Sequence, residues 1–300
     1  MKLFLQNILF GSIFFIIFLI LFEFFVISRV PNEFSYKYNY VNENGEKIAI
    51  LLMGNSYFEK GINPEYIADS IFDLAVVARW IHYDNELLNE FLPSLPNLRT
   101  IIYPMGYSQF YRDYDNIDSA PQADFVHQKY MHVWNNRFPQ NIDRWLAIMY
   151  SDRIGFKQWD VAVDSTWNGY SPYVESCSII QKKKESDVFK DITQIENSNS
   201  IVEEYTNYMI SMAKTCKEYG VRFIVVTPPY HELLYQKISD LGVKMMYDVI
   251  ECVSCHAPIE YKNYLFDSEF QVDSLYYDCT HLNSIGADKF AIRVKNDFNL

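Results

Sequence analysis

Short apolar segments that alternate with amphipathic ones restrict the fold of this chain more than any other feature of its sequence. Residues 48–53 (IAILLM) are apolar without interruption, and shorter apolar segments follow near residues 71–77 and 100–103. A helical pattern over residues 200–220 ends at a glycine and is followed at once by the apolar segment VRFIVVTPP. Strands that are apolar throughout are typical of parallel sheets covered by helices on both faces. The sequence therefore predicts an α/β fold, a three-layer sandwich around a parallel sheet. Further helical patterns cover residues 78–95 and 231–253 and the segment after Asn283.

The N-terminal segment differs from this alternation by being uniformly hydrophobic. No charged residue lies between Leu3 and Phe22, and an apolar stretch of this length can span a bilayer. Because no small-residue cleavage site follows it, the sequence predicts an uncleaved transmembrane signal anchor over residues 1–28, which would contact the membrane through residues 3–27. A cleaved signal peptide is the alternative. The charge of Lys2 against that of Arg29 favours a single-pass protein whose C-terminal domain is extracytoplasmic.

Two further segments complete the predicted domain organisation. Residues 29–46 are polar and aromatic without a helical or alternating period, which indicates a linker. The main domain is expected over residues 47–300, with an aromatic-rich insertion at about 107–185. The insertion contains DSTWNGY at 164–170 and three further tryptophans. These residues either line a carbohydrate-binding lid or pack onto the sheet. The tryptophans are Trp134, Trp145 and Trp159.

The net charge of −12 argues against a nucleic-acid partner, because a phosphate-binding surface requires clustered lysine and arginine. The only basic run, residues 182–184, is expected to be a solvated loop. His127 and His132 are five residues apart with Asp124 nearby, and this is a poor helical spacing for shared metal ligation. No metal site is predicted.

The five cysteines are too few and too scattered for a disulfide scaffold. Two of them belong to CVSCH at residues 252–256, whose spacing matches covalent c-type haem attachment through Cys252, Cys255 and His256. The other interpretation of this stretch is a strand and turn with two adjacent thiols.

Three residues combine into a candidate catalytic site. Ser56 lies just past the first predicted strand, at the sheet edge where ligands bind in open α/β folds. Asp278 and His281 are three residues apart in a polar turn before the last helix, whose start is indicated by Asn283 and Ser284. An imidazole oriented by a carboxylate can take the proton of a serine hydroxyl and make it nucleophilic. Spacing alone leaves two alternatives open, a serine that only caps a helix and a surface turn.

Two blocks of sequence resemble the SGNH or GDSL hydrolase superfamily. LLMGNSYFEKGINPEYI is similar to the first block of the family, with Gly-Asn-Ser where Gly-Asp-Ser is usual, and DCTHLNSIGADKF is similar to its last block. The resemblance spans roughly residues 48–298 and implies an SGNH/flavodoxin-like fold. It also implies that Ser56 is the nucleophile, His281 the base and Asp278 the residue that orients the base. TPPYH, residues 227–231, resembles a strand end of membrane-anchored members, and its histidine is expected to be partly exposed in a loop.

The chain departs from the family at the oxyanion hole. The family uses the N–H of the nucleophile, a glycine after the second strand and an asparagine after the third. Here Ser56 supplies the first donor, but Ala78 or a neighbour must supply the second, and Ser108 stands beside Gly106 in place of the asparagine. Loss of one such donor typically lowers turnover about 100- to 1,000-fold.

Two functions follow from the resemblance. One is a serine esterase or O-acyltransferase that acts on acylated cell-envelope glycans or similar esters and uses no metal or organic cofactor. The other is a catalytically weakened domain that binds glycan or assists assembly beside a membrane acyltransferase. The sequence does not distinguish hydrolysis from transfer.

Overall fold

The computed structural model describes residues 2–25, 33–77, 79–107, 109, 168–188 and 199–300. The chain divides into two compact units, and the larger unit, Lys37–Ser119 together with Val163–Leu300, contains the sheet. Helix α1, Lys2–Phe25, belongs to the other unit, and its described apolar side chains, such as Phe4 and Phe14, are exposed. Within the described residues, which omit the side chains at both ends of α1, no helix combines the length and the apolar composition needed to cross a bilayer. The anchor over residues 3–27 stays a prediction.

The remaining elements alternate along the larger part of the chain. The strands are β1 (Ile50–Leu52), β2 (Ile71–Asp73), β3 (Thr100–Pro104), β4 (Arg222–Thr227) and β5 (Glu260–Asn263). The helices are α2 (Glu33–Asn44), α3 (Ser56–Glu59), α4 (Ile81–Phe91), α5 (Ile179–Val188), α6 (Asn199–Glu218), α7 (Glu232–Tyr235), α8 (Asp240–His256) and α9 (Ser284–Phe298). Short 3-10 helices cover Gly45–Lys47, Pro64–Tyr66, Leu92–Ser94, Ser268–Phe270 and Asp273–Leu275.

The five described strands form one parallel sheet in the order β2-β1-β3-β4-β5. Leu51 of β1 pairs with Phe72 of β2 on one side and with Ile101 of β3 on the other. All residues of β1, β2 and β3 are buried, as expected of strands covered on both faces. The predicted α/β fold with a parallel sheet is therefore confirmed.

Alternate residues of the strands face two different helical layers. Ile50 and Ile102 belong to a buried cluster that also contains Phe290 of α9. Tyr103 points to the opposite face, where its hydroxyl donates a hydrogen bond to Asp84 in α4. Helices α4 and α6 contact each other, and α6 also contacts β4 and α8. The sheet is thus the middle of three layers.

The structure corrects the prediction of a linker at residues 29–46, because Glu33–Asn44 within it form helix α2. Val41 is fully buried, and the ring of Tyr40 stacks on Phe72 of β2 with centroids 4.2 Å apart. Lys37 is also buried, and its ammonium donates to the carbonyl of Ala75. Tertiary contacts hold this helix in place. Its sequence has no regular apolar period, so the pattern does not predict a helix here.

Three local predictions elsewhere also differ from the structure. Lys182, predicted to be solvated, is buried in α5 and forms an ion pair with Asp273. Residues 252–256 form the last turn of α8 and not a strand and turn. The helix predicted over residues 231–253 is two helices, and Ser239 begins the second by accepting a hydrogen bond from the N–H of Gly242.

The predicted insertion at 107–185 lies largely outside the described residues, as do its tryptophans and the histidines at 127 and 132. Its end, residues 168–178, is described and is called here the return segment. It begins at β2, where the carbonyl of Asn168 accepts a 2.7 Å hydrogen bond from the N–H of Asp73. Gly169 has a φ of +85°, and a Cβ there would lie 2.1 Å from the carbonyl oxygen of Asp73. Only glycine fits this close approach.

Candidate active site

A tight turn after β1 places Ser56 at the carboxyl edge of the sheet. Gly54 has a φ of +113°, and a Cβ there would lie 2.5 Å from the ring of Pro104 at the end of β3. Asn55 then caps α3, because its side chain accepts a hydrogen bond from the N–H of Tyr57. Ser56 is the first residue of α3 and therefore faces the edge where the parallel strands end.

Asp278 and His281 lie in a tight loop before α9. The N–H of Tyr277 donates to the carbonyl of His281 at 2.9 Å, which closes the loop. Inside it, one oxygen of Asp278 accepts the N–H groups of Thr280 and His281, each at 2.7 Å. Asn283 caps α9 through the N–H of Gly286, as the sequence indicates. The loop is thus held by its own backbone and side chains.

The structure brings Ser56, His281 and Asp278 together. Nδ1 of His281 lies 2.8 Å from Oδ2 of Asp278, and Nε2 of His281 lies 2.8 Å from Oγ of Ser56. A carboxylate can only accept, so Nδ1–H donates to Asp278, and Nε2 is left to accept the hydroxyl proton of Ser56. This is the geometry that general-base activation of a serine requires. Both sequence blocks that carry the resemblance therefore meet at one site.

Asp278 is held in its ionised form. Burial of the carboxyl opposes ionisation, but the hydrogen bond and charge of His281 and the N–H groups of Thr280 and His281 outweigh it and keep the pKa of Asp278 below its ordinary value. Asp278 can then keep the imidazole of His281 in one tautomer and offset the charge that forms when that ring takes a proton.

Two tyrosines enclose the imidazole. The ring of Tyr57 stacks on His281 with centroids 5.6 Å apart, and Tyr173 of the return segment contacts it edge-on at 5.7 Å. Tyr173 also stacks on Tyr277, with centroids 3.9 Å apart. Burial raises the pKa of Tyr173 to about 12, and the negative charges of Asp278 and Glu59 add to the shift. Sequence analysis did not identify either tyrosine, because neither belongs to a motif.

A buried ion pair lies one helical turn beyond Ser56. Nζ of Lys60 lies 2.5 Å from Oε1 of Glu59, whose side chain is fully buried. The same ammonium donates to Oγ of Ser171 at 3.1 Å and lies 5.4 Å above the ring of Tyr173. The other oxygen of Glu59 accepts the N–H of Val77. The ion pair joins the end of α3 to the return segment. No sequence pattern predicted this pair.

The predicted oxyanion donors are described only in part. Ser56 stands at the start of α3, whereas Ala78 and Ser108 lie outside the described residues. Near Ala78, the N–H of Val76 donates to the carbonyl of Gly54 at 3.0 Å, so the chain after β2 contacts the turn that carries Ser56. Near Ser108, the N–H of Gly106 donates to the side chain of Gln109 at 2.7 Å.

His231 lies outside the triad and is buried, so the prediction of a partly exposed loop histidine is wrong. Its Nδ1 caps α7 by accepting the N–H of Leu233, and its Nε2 lies 2.9 Å from Asp273, which also binds Lys182. The N–H of His231 donates to the carbonyl of Cys279 in the loop that carries Asp278 and His281. These contacts support the loop from behind.

Among the described residues, no group of three or more histidine, cysteine or acidic side chains is placed to hold a metal ion. Cys252 and Cys255 are exposed free thiols on the last turn of α8, and Nδ1 of His256 lies 2.8 Å from the carbonyl oxygen of Cys252. That contact caps the end of the helix. Haem attachment at these three residues stays a prediction.

No protein-family model matches the sequence, and no curated protein is significantly similar to it. Ten chains of solved structures are similar to this chain, including the following two. One is a Streptococcus pneumonia protein provisionally named as a platelet activating factor, with a TM-score of 0.48 and 12% identity over 89% of this chain and 93% of that one. The other is a GDSL-like lipase from Bacteroides thetaiotaomicron VPI-5482, with a TM-score of 0.42 and 11% identity over 89% of this chain and 98% of that one.

Proposed function

We propose that the protein is a serine esterase or acyl transferase of the SGNH type, with Ser56, His281 and Asp278 as its catalytic triad. The observation that carries this proposal is the continuous hydrogen-bonded relay from Asp278 through His281 to Ser56, with both heavy-atom distances at 2.8 Å. Neither a surface turn nor a simple helix cap requires two residues 225 positions apart to meet in this geometry.

The first half of the reaction forms an acyl enzyme. Oγ of Ser56 adds to the carbonyl carbon of an ester while Nε2 of His281 takes the hydroxyl proton. The carbonyl π electrons move to the oxygen, and the N–H of Ser56 is available to stabilise that charge. When the tetrahedral intermediate collapses, the C–O bond to the alcohol breaks and His281 returns its proton to the departing oxygen.

The second half regenerates Ser56. A water molecule or the hydroxyl of an acceptor gives its proton to His281 and adds to the acyl carbon, and Ser56 leaves with the proton that His281 held. Water completes hydrolysis, whereas a sugar hydroxyl completes transfer. Acylated envelope glycans are the proposed substrates, supported by the resemblance of residues 227–231 to membrane-anchored members and by the apolar N-terminal segment.

The second candidate is a weakened domain that binds glycan or assists assembly beside a membrane acyltransferase. The residues at two oxyanion positions favour it, since Ala78 and Ser108 stand where glycine and asparagine are usual. A serine hydroxyl reaches less far than an asparagine amide. If the hole is merely weakened, Ser108→Asn should raise turnover of p-nitrophenyl acetate.

Labelling by a fluorophosphonate probe tests the proposed function on the full-length protein. We expect the probe to modify wild-type protein, Ser56→Ala to abolish labelling, and His281→Ala to lower its rate by a factor of 10³ or more, on the order seen when a triad member is removed. Ser254→Ala on α8 is the matched control, because the hydroxyl of Ser254 bonds only within its own helix. Absence of labelling in folded wild-type protein would support the weakened domain.

We also propose that residues 3–27 anchor the protein in a membrane with the C-terminal domain extracytoplasmic. The uncharged run from Leu3 to Phe22 and the exposure of the described apolar side chains of α1 support this. Protease added to cells with a permeabilised outer layer should digest the domain beyond Pro31. Full protection of the domain would contradict the proposed orientation.

A further inference from the structure

Two hydrogen bonds align the imidazole of His281 with its partners in the triad. Its hydrogen bonds to Asp278 and Ser56 leave from opposite sides of the ring. A ring held in this way can still tilt about the line that joins the two partners. Such a tilt misaligns the lone pair of Nε2 with the serine hydroxyl, and proton transfer depends on that alignment.

Tyr57 blocks this motion from one face of the imidazole. Its ring lies 26° from parallel to the ring of His281, with centroids 5.6 Å apart, and only 7% of Tyr57 is exposed. Because Tyr57 directly follows Ser56 in α3, the nucleophile and the ring that packs on its base move as one element.

Tyr57 is itself held from behind. Tyr230 stacks against it with centroids 5.7 Å apart, and the two buried hydroxyls form a 2.6 Å hydrogen bond. Gly106 leaves room for this pair, since a Cβ there would lie 2.3 Å from Cε2 of Tyr57 and 2.9 Å from the hydroxyl of Tyr230. The order Tyr230, Tyr57, His281 is therefore a continuous column of rings.

The column of rings also affects the stability of the positive charge that forms on His281. During catalysis His281 becomes an imidazolium, and a cation within about 6 Å of the face of an aromatic ring is attracted to that electron-rich face. The other groups around the imidazole are Asp278 and Thr280 on its own loop, Ser56 on α3, and Tyr173 on the return segment. Lys60 and Glu59 lie behind Tyr173 as an ion pair.

We infer that Tyr57 is a positioning residue of the triad, which holds the imidazole of His281 in plane and stabilises its protonated form. This inference rests on the proposed function. Tyr230 supports Tyr57 by stacking against its ring, and Gly106 permits the contact.

Substitution at position 57 tests the inference. Tyr57→Leu removes the ring, and we expect kcat to fall about 10- to 100-fold with KM changed less than about threefold, as misaligned proton transfer predicts. Tyr57→Phe keeps the ring, so kcat should stay within about threefold of wild type. Tyr57→Met is the alternative ring-free variant if Tyr57→Leu does not fold, and Tyr219→Leu, at an exposed tyrosine, is the matched control.

A readout without turnover separates this inference from the proposed function. In protein labelled with ¹⁵N-histidine, the resonance of the Nδ1–H that His281 donates to Asp278 should broaden or disappear in Tyr57→Leu, since the ring is then free to tilt, and should persist in Tyr57→Phe. Inactive wild-type protein would defeat the proposed function, while this resonance would still test the Tyr57 contact. Unchanged kcat and an unchanged Nδ1–H resonance in folded Tyr57→Leu, or equal losses in Tyr57→Phe, would overturn the inference.

Discussion

The carboxylate of Glu59, one helical turn beyond Ser56, accepts a hydrogen bond from the backbone N–H of Val77. This contact ties the nucleophile helix to the segment after β2, where Ala78 is the expected oxyanion donor. Lys60 binds the other carboxylate oxygen and continues the connection to Ser171 in the return segment. One buried acid thus joins three separate parts of the chain around the site.

Replacement of Glu59 should therefore affect both stability and turnover. In Glu59→Leu the Val77 N–H loses its acceptor and Lys60 loses its counter-charge, and we expect a loss of about 1–3 kcal/mol in the free energy of unfolding, together with lower kcat. Glu59→Gln keeps an acceptor oxygen and should lose less of both. Urea unfolding and esterase assays measure the two effects. A Glu59→Leu protein as stable and active as wild type would contradict this role.

A second buried pair supports the turn that carries Ser56. Arg79 lies 2.6 Å from Asp84, and both side chains are almost fully buried. Asp84 also accepts the hydroxyl of Tyr103 and the N–H of Gly54. Removing one partner leaves a buried charge, so Asp84→Asn should lower the free energy of unfolding by about 3–5 kcal/mol.

A double variant tests whether the loss of stability comes from an unpaired buried charge or from the changed shape of the side chain. Combining Asp84→Asn with Arg79→Met removes both charges and should recover more than half of the loss, as measured by chemical denaturation. Glu260→Gln is the control, because Glu260 forms an exposed pair with Arg222 and its loss should cost less than about 1 kcal/mol. Additive effects of the two buried substitutions would show that the pair is not coupled.

Ionisation of Asp278 makes the free energy of unfolding depend on pH in the acid range. Its pKa is lowered on folding, so its contribution to stability is complete above the ordinary carboxyl pKa near 4 and is lost as pH falls through the lowered value. Asp278→Asn removes that part of the acid slope of stability. It should also reduce kcat about 10²- to 10⁴-fold, less than His281→Ala, because the imidazole remains with a poorer tautomer. Unfolding curves from pH 6 to pH 3 and esterase rates at pH 7 test both expectations.

Tyr173 gives the opposite dependence at high pH. Its pKa is raised to about 12, so the unfolded chain ionises this hydroxyl near pH 10 while the folded protein keeps it neutral. Its contribution to stability is complete below pH 10 and is lost as pH rises toward 12. Tyr173→Phe should reduce the fall in unfolding free energy between pH 10 and pH 11, and Tyr219→Phe, at an exposed tyrosine, should not. An identical fall in wild type and Tyr173→Phe would contradict this expectation.

Local pattern was enough to predict the first four strands of the sheet and the elements that carry Ser56, Asp278 and His281. Residues 48–53 and 223–226 are apolar throughout because both faces of their strands are covered, and this signal is visible in a single sequence. The start of α9 was also predictable from the sequence, since Asn283 caps the helix by accepting a hydrogen bond from a residue only three positions away. Ser56, Asp278 and His281 were found because each lies beside such a local signal.

Tertiary structure alone decided the surroundings of the triad. Lys182 and Lys37 look solvated in sequence, yet both are buried: Lys182 pairs with Asp273, and Lys37 lies in a helix whose tyrosines contact rings of β2 and α4. β5 is polar and became a strand through pairing with β4. Tyr57, Glu59 and Tyr173 acquire their contacts from distant partners, such as Tyr230, which is 173 residues from Tyr57, and His281, which is farther still along the chain. A sequence pattern records the periodicity of one segment, whereas the burial and pairing of a polar or aromatic side chain depend on which distant segment packs against it.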